Sequence, residues 1–236
     1  MKKTVLLVAF CISLFCCNFS QSSSNAYLNN PIYQRQIEMY EVYKTKQADI
    51  VMLGNSLTHG ANWNELLDRQ NVVERGIVSD VTEGFVARLR YVYKLKPKVC
   101  FILGGLNDIY NWTPIEKIYS NYIRIISSLE LRGIEPVIQS TLYAGKKWGE
   151  DYLARTNPDL KAEDVNSERN SQVKLLNKML SDYSKRNNIK FIDLNKKMSK
   201  DEFLRSDITY DGAHLNARGY KIWATEVDKV LTEMGF

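Results

Sequence analysis

From residue 48 onward, short runs rich in Val, Ile and Phe alternate with longer stretches in which apolar residues recur three and four positions apart. The short runs, at 50–53, 72–75, 99–103, 136–140 and 190–193, predict strands. The longer ones, at 62–69, 81–93, 113–132, 167–186 and 214–232, predict helices. Strand and helix in alternation is the pattern of an α/β chain whose parallel sheet is covered on both faces. Right-handed crossovers would then bring the ends of the first three strands to one rim, where the connections that leave them can carry chemistry. The long segment 143–166 follows the fourth strand on this rim and contains Trp148, Tyr152 and Pro158. It is expected to face substrate, the alternative being a solvated insertion.

The first 24 residues read differently. Lys2 and Lys3 precede an apolar run to about Cys17, and a serine-rich stretch follows, the three regions of a secretory signal peptide. The expected organisation is a leader at 1–24, a lead-in at 25–47 and one domain at 48–236, exported to a periplasmic or extracellular space. Leu14-Phe15-Cys16-Cys17 resembles a bacterial lipoprotein signal, which would anchor the chain to a membrane through a lipid on Cys16 or Cys17. Of the four cysteines, only Cys100 lies in the body of the chain, so no disulfide can form within the mature domain. The formal charge of +5 falls to +3 without Lys2 and Lys3 and gathers in no basic block, giving no footprint for nucleic acid.

Candidate chemistry sits at strand ends. The run from Ile50 ends at Gly54-Asn55-Ser56-Leu57, a turn that presents a hydroxyl at a strand's C-terminal edge. Thr58 stands where the second glycine of a Gly-x-Ser-x-Gly elbow would be, which argues against the α/β-hydrolase arrangement. Arg75-Gly76-Ile77 follows the second strand, and Gly104-Gly105-Leu106-Asn107-Asp108 the third; a glycine amide and an Asn side chain are suitable donors to an oxyanion. The chain has two histidines, His59 and His214. His214 ends Asp211-Gly212-Ala213-His214, with a carboxylate at hand to orient it; His59 has no such neighbour in sequence. Asp193 is a weaker rival to Asp211, and Asp108 is expected to anchor the rim or cap a helix. Each segment alone has an ordinary structural reading as a turn, cap or surface hydrogen bond. Together they supply nucleophile, base, orienter and oxyanion donors.

In order and content these four segments resemble the SGNH (GDSL-type) esterase and lipase family over roughly residues 48–230. The resemblance implies Ser56 as nucleophile, His214 as base oriented by Asp211, and the amides of Ser56 and Gly76 with the Asn107 side chain as the oxyanion hole. It also implies a flavodoxin-like three-layer α/β/α sandwich with strand order 2-1-3-4-5, and ester hydrolysis through an acyl-enzyme without metal or cofactor. Asn55 departs from the family's name-giving motif, which has Asp there. The rim aromatics Trp112, Tyr143 and Trp148 are candidates to stack on a sugar. With the secreted single-domain form they point to a small-molecule or glycan ester, foremost a carbohydrate O-acetylesterase. A lysophospholipase, thioesterase or platelet-activating-factor acetylhydrolase-like enzyme, an acyltransferase and a non-catalytic glycan-binding module are the alternatives.

Overall fold

In the computed structural model, residues 26–236 are described. The expected leader, with Cys11, Cys16 and Cys17, and the expected lipid anchor lie outside them. Five strands, β1 (Ile50–Gly54), β2 (Val72–Gly76), β3 (Val99–Leu103), β4 (Glu135–Gln139) and β5 (Lys190–Ile192), form one parallel sheet in the order β2-β1-β3-β4-β5. This is the order expected from the family resemblance. Gly54 pairs with Gly76 on one side and Leu103 on the other, so the connections after β1, β2 and β3 leave side by side.

Alternate residues of the central strands feed two cores. Val51, Leu53, Cys100, Ile102 and Ile138 pack with helices Thr82–Ala87, Ile115–Glu130 and Ala162–Asn187. Ile50, Met52, Val99, Phe101 and Val137 face the opposite layer, where Trp63 meets Trp223 edge to face at 4.7 Å. The period-2 register of β-strands therefore divides nearly every buried strand residue between two helical layers.

Several boundaries move. The stretch 81–93 is two helices, Thr82–Ala87 and Arg90–Tyr93, separated where the buried Arg88 turns inward to bond Asp80. The last helix is Ala217–Glu233, because Asn216 caps it by accepting from the Arg218 and Gly219 N–H groups. That cap leaves 211–215 free to form a loop. The helix expected from 167 begins at Ala162, and segment 143–166 holds a further helix, Glu150–Thr156, with no buried residue. A hairpin of Ser199–Lys200 with Phe203–Leu204 turns at Asp201 and Glu202, both with positive φ. The lead-in is no bare linker. Its helix Pro31–Val42 packs Tyr33 and Tyr40 against Ile77 and Tyr91, and the Tyr40 hydroxyl donates to the Gly76 carbonyl at 2.9 Å.

Candidate active site

β1 ends at Gly54, Asn55 leaves it with φ −100° and ψ −149°, and a single helical turn begins at Ser56. The Asn55 side chain accepts from the Leu57 N–H at 3.1 Å, so an amide oxygen does here the capping a carboxylate oxygen would do. Two carbonyls at the base of this turn are held by Arg88: Nη2 donates to the Gly54 carbonyl and Nη1 to that of Arg75, each at 2.8 Å. Nε of the same guanidinium pairs with Asp80 at 2.8 Å. Behind the nucleophile turn there is thus a buried cation with all three of its nitrogens bonded, which fixes where Ser56 stands.

The Ser56 hydroxyl lies 3.1 Å from His214 Nε2, and His214 Nδ1 lies 2.6 Å from Asp211 Oδ2. With Nδ1 carrying the ring proton, Nε2 is free to accept from Ser56. Asp211 is fixed in turn, since its Oδ1 accepts from the Ala213 and His214 N–H groups at 2.8 and 2.7 Å. Partial burial alone would raise its pKa, but the bonds from the His214 ring and these two amides hold it below the usual carboxylate range. The loop is closed by Thr209, which donates to the His214 carbonyl at 2.6 Å. Asp193 is not part of this line; it is exposed beside β5.

The expected oxyanion donors are placed unequally. Asn107, on the helix Leu106–Tyr110, spends one amide hydrogen on the Asp80 carbonyl at 2.9 Å and keeps the other. The Gly76 N–H is committed: it donates to Glu74 Oε1 at 2.5 Å. What Gly76 does contribute is space, because a Cβ there would stand 2.5 Å from the His59 nitrogen and 2.7 Å from the Asn55 carbonyl oxygen. Glycine thereby lets the Ser56 turn pack onto β2. Ser79, exposed and held at φ 59°, carries an N–H with no hydrogen-bond partner among the described residues. Sequence reading sought a glycine at this edge and passed over Ser79, which adopts the left-handed region that glycine favours. Asp108 is buried and accepts from the Thr82 N–H and hydroxyl, capping the helix Thr82–Ala87. Burial pushes its carboxyl up to about 6.

His59 faces elsewhere. Its Nδ1 lies 3.3 Å from Glu74 Oε1, a carboxylate supplied by β2 and invisible as a neighbour in sequence. The hydrogen bond with Glu74 is the main reason its pKa is raised.

A model of the GDSL-like Lipase/Acylhydrolase family matches residues 52–222. The chain belongs to this family. As a GDSL-type acylhydrolase it is a hydrolase of ester bonds. Its fold is shared with solved structures of low identity: a candidate acylhydrolase from Bacteroides fragilis NCTC 9343 (21% identical, 85% of this chain and 96% of that one, TM-score 0.69) and an acetyl xylan esterase (19%, 77% and 98%, TM-score 0.58). In sequence it is similar to an N-acylneuraminate cytidylyltransferase of Streptococcus agalactiae, 26% identical over 136 residues, which are 56% of this chain and 29% of that protein. The chain therefore matches less than a third of that relative's length.

The three rim aromatics of the acylhydrolase have separate fates. Trp112 is 68% exposed, at φ 58° just beyond the Asn107 helix. Trp148 is half-buried, edge-on to Tyr110 at 4.2 Å. Tyr143 is only 9% exposed; its ring belongs to the apolar core, and it borders a different cavity, with Lys174 and Asp193. The backbone leaving β4 is pinned by Asn170 and Asn195, which accept from the Ala144 and Tyr143 N–H groups, and this draws Tyr143 inward. An aromatic that sequence reading did not single out lies over the base: Tyr210, 71% exposed, stacks on His214 with centroids 5.8 Å apart and planes 15° from parallel. Among the described residues no group of three or more His, Cys, Asp or Glu could hold a metal, and no helix is long and apolar enough to cross a membrane.

Proposed function

We propose that the enzyme is a carbohydrate O-acetylesterase working through an acyl-enzyme on Ser56. The observation that carries the mechanism is the continuous line Ser56 Oγ, His214 Nε2, His214 Nδ1, Asp211 Oδ2, with gaps of 3.1 and 2.6 Å. As the Ser56 oxygen bonds to the ester carbonyl carbon, its proton passes to His214 Nε2, and Asp211 stabilises the imidazolium. Collapse of the tetrahedral adduct breaks the bond to the alkoxy oxygen, which takes that proton from His214 and leaves as the alcohol. Water, deprotonated by the same imidazole, then attacks the acyl carbon, and Ser56 is released as the acid departs.

The oxyanion is held by the Ser56 N–H, the remaining amide hydrogen of Asn107 and a third amide from the β2 exit. Gly76 can serve only when Glu74 lets go of it, whereas the Ser79 N–H is uncommitted. Carbohydrate is favoured over lipid by flat exposed rings at the rim, Trp112 and Tyr210, which suit a sugar face. An acetyl xylan esterase among the fold neighbours agrees with this reading.

The test is hydrolysis of p-nitrophenyl acetate, butyrate and octanoate by the enzyme and its Ser56→Ala variant, followed by acetate release from acetylated oligosaccharides. Rates falling from acetate to octanoate and absent in the variant support the reading. A maximum at octanoate replaces it with a lipid esterase, and full activity in Ser56→Ala removes the serine mechanism.

A further inference from the structure

Arg169, on the helix Ala162–Asn187, is 6% exposed, yet among the described residues no carboxylate is in direct contact with it and its Nε has no hydrogen-bond partner. Arg88 shows what a buried guanidinium normally requires, with Asp80 and two backbone carbonyls around it. Arg169 has only aromatic faces: its Cζ lies 3.0 Å from the centroid of Trp112 and 5.7 Å from that of Tyr110. Such faces attract a cation but leave its N–H donors unused. The guanidinium lines a cavity of about 240 Å³ with Trp112, Thr113, Ile109, Gln172 and Glu168. Glu168 is exposed and makes no direct contact with it, although its charge partly offsets the lowering of the Arg169 pKa by burial.

The cavity takes one wall, Ile109, from the helix that carries Asn107. Trp112 follows the helix that carries Asn107. Tyr110 packs on Trp148, whose backbone is so close to Gly212 that a Cβ there would come within 3.0 Å of it. Gly212 itself lies between Asp211 and His214, so contacts through Tyr110 and Trp148 lead from Arg169 to the backbone of the loop that carries the base.

We infer that Arg169, with Trp112 beside it, is the subsite for a carboxylate on the sugar, and that the preferred substrates are acetyl esters of acidic carbohydrates. The planar guanidinium offers paired N–H donors that match both oxygens of a carboxylate, and the indole offers a face to the ring that bears it. One guanidinium, its charge already partly offset by the nearby Glu168, suits a monoanion at most and leaves a phosphate dianion far under-compensated. The inference rests on the O-acetylesterase reading and sharpens it.

The experiment compares kcat/KM for an acetylated methyl glucuronoside and the matching acetylated methyl glucoside. The expected preference for the acidic ester is on the order of tenfold or more, carried by KM, and Arg169→Gln should bring the ratio to about one. Trp112→Ala should raise KM for both sugars. Equal ratios in the native enzyme and Arg169→Gln overturn the proposal. If no ester is hydrolysed, the catalytic reading fails, and the subsite is judged alone by calorimetric titration with glucuronate. Binding that Arg169→Gln abolishes supports it; no binding, binding unaffected by the variant, or tighter binding of inorganic phosphate overturns it.

Discussion

Both histidines of this chain sit beside a carboxylate, yet only one of them meets a serine. His214 and Asp211 are three residues apart, and Asp211 is held by two backbone amides that aim it at the ring. His59 and Glu74 come together because β1 and β2 are neighbours, and Glu74 Oε1 divides itself between the His59 ring and the Gly76 N–H. The first pair is built around a fixed carboxylate whose partner has its second nitrogen on Ser56. The second is a link between a helical turn and a strand. A histidine with a carboxylate is thus not yet a base; what matters is where the other ring nitrogen points and whether one carboxylate oxygen is free to serve only the ring, as Asp211 Oδ2 is and Glu74 Oε1 is not.

The comparison breaks if removing His59 does what removing His214 does. Ser56→Ala and His214→Ala should each lower kcat on p-nitrophenyl acetate by about 10⁶, whereas His59→Ala should change it by less than about tenfold, as read from steady-state rates. Exchanging the carboxylates sharpens the contrast. Asp211→Asn presents the ring with the wrong hydrogen-bonding partner and should cost about 10⁴ in kcat, while Glu74→Gln leaves turnover near native.

Asp108 extends the series to a carboxylate with no imidazole. Its folded pKa of about 6 exceeds the unfolded 3.8, so its contribution to stability is fully present below 3.8 and is lost as pH rises through 6. Relative to Asp108→Asn, the native protein should lose up to about 3 kcal/mol between pH 4 and 7 in denaturant titrations. A constant difference across that range would mean the group keeps an ordinary pKa. The smallest effect belongs to the exposed pair. The folded pKa of His59 lies above its unfolded 6.5, so the pair stabilises below 6.5 and stops doing so as pH rises through the folded value. Glu74→Gln should lower Tm at pH 5.5 by the equivalent of less than about 1 kcal/mol and match the native protein at pH 8.5.

The same contrast explains what could be read from the sequence. Asp211 and His214 were legible because three residues of loop keep them together whatever the tertiary structure. Glu74 was not, since its approach to His59 and Gly76 depends on strand pairing and on a side-chain rotamer. The strands were legible because β1 and β3 are buried on both faces and read as unbroken apolar runs. The helix Pro31–Val42 escaped notice because it docks through Tyr33 and Tyr40, with polar residues on much of its remaining surface. Gly76 was read as an oxyanion donor from its place after a strand; only atomic positions show its amide already engaged and Ser79 beyond it with an amide to spare. Tyr143 was read as a rim aromatic from its place after β4, and two asparagines from distant segments turn that backbone instead.

The bond from Ser56 to His214 spans 158 positions of sequence. A chain leaving the ribosome owns its nucleophile long before its base, and contacts of such separation form late because so much chain must be ordered to bring them together. Hydrolytic competence is therefore a property of the finished molecule: the growing chain, or one clipped ahead of residue 211, holds a serine no more reactive than any other. After dilution from denaturant, recovery of turnover should trail recovery of helix, and the interval between them times the docking of the C-terminal segment.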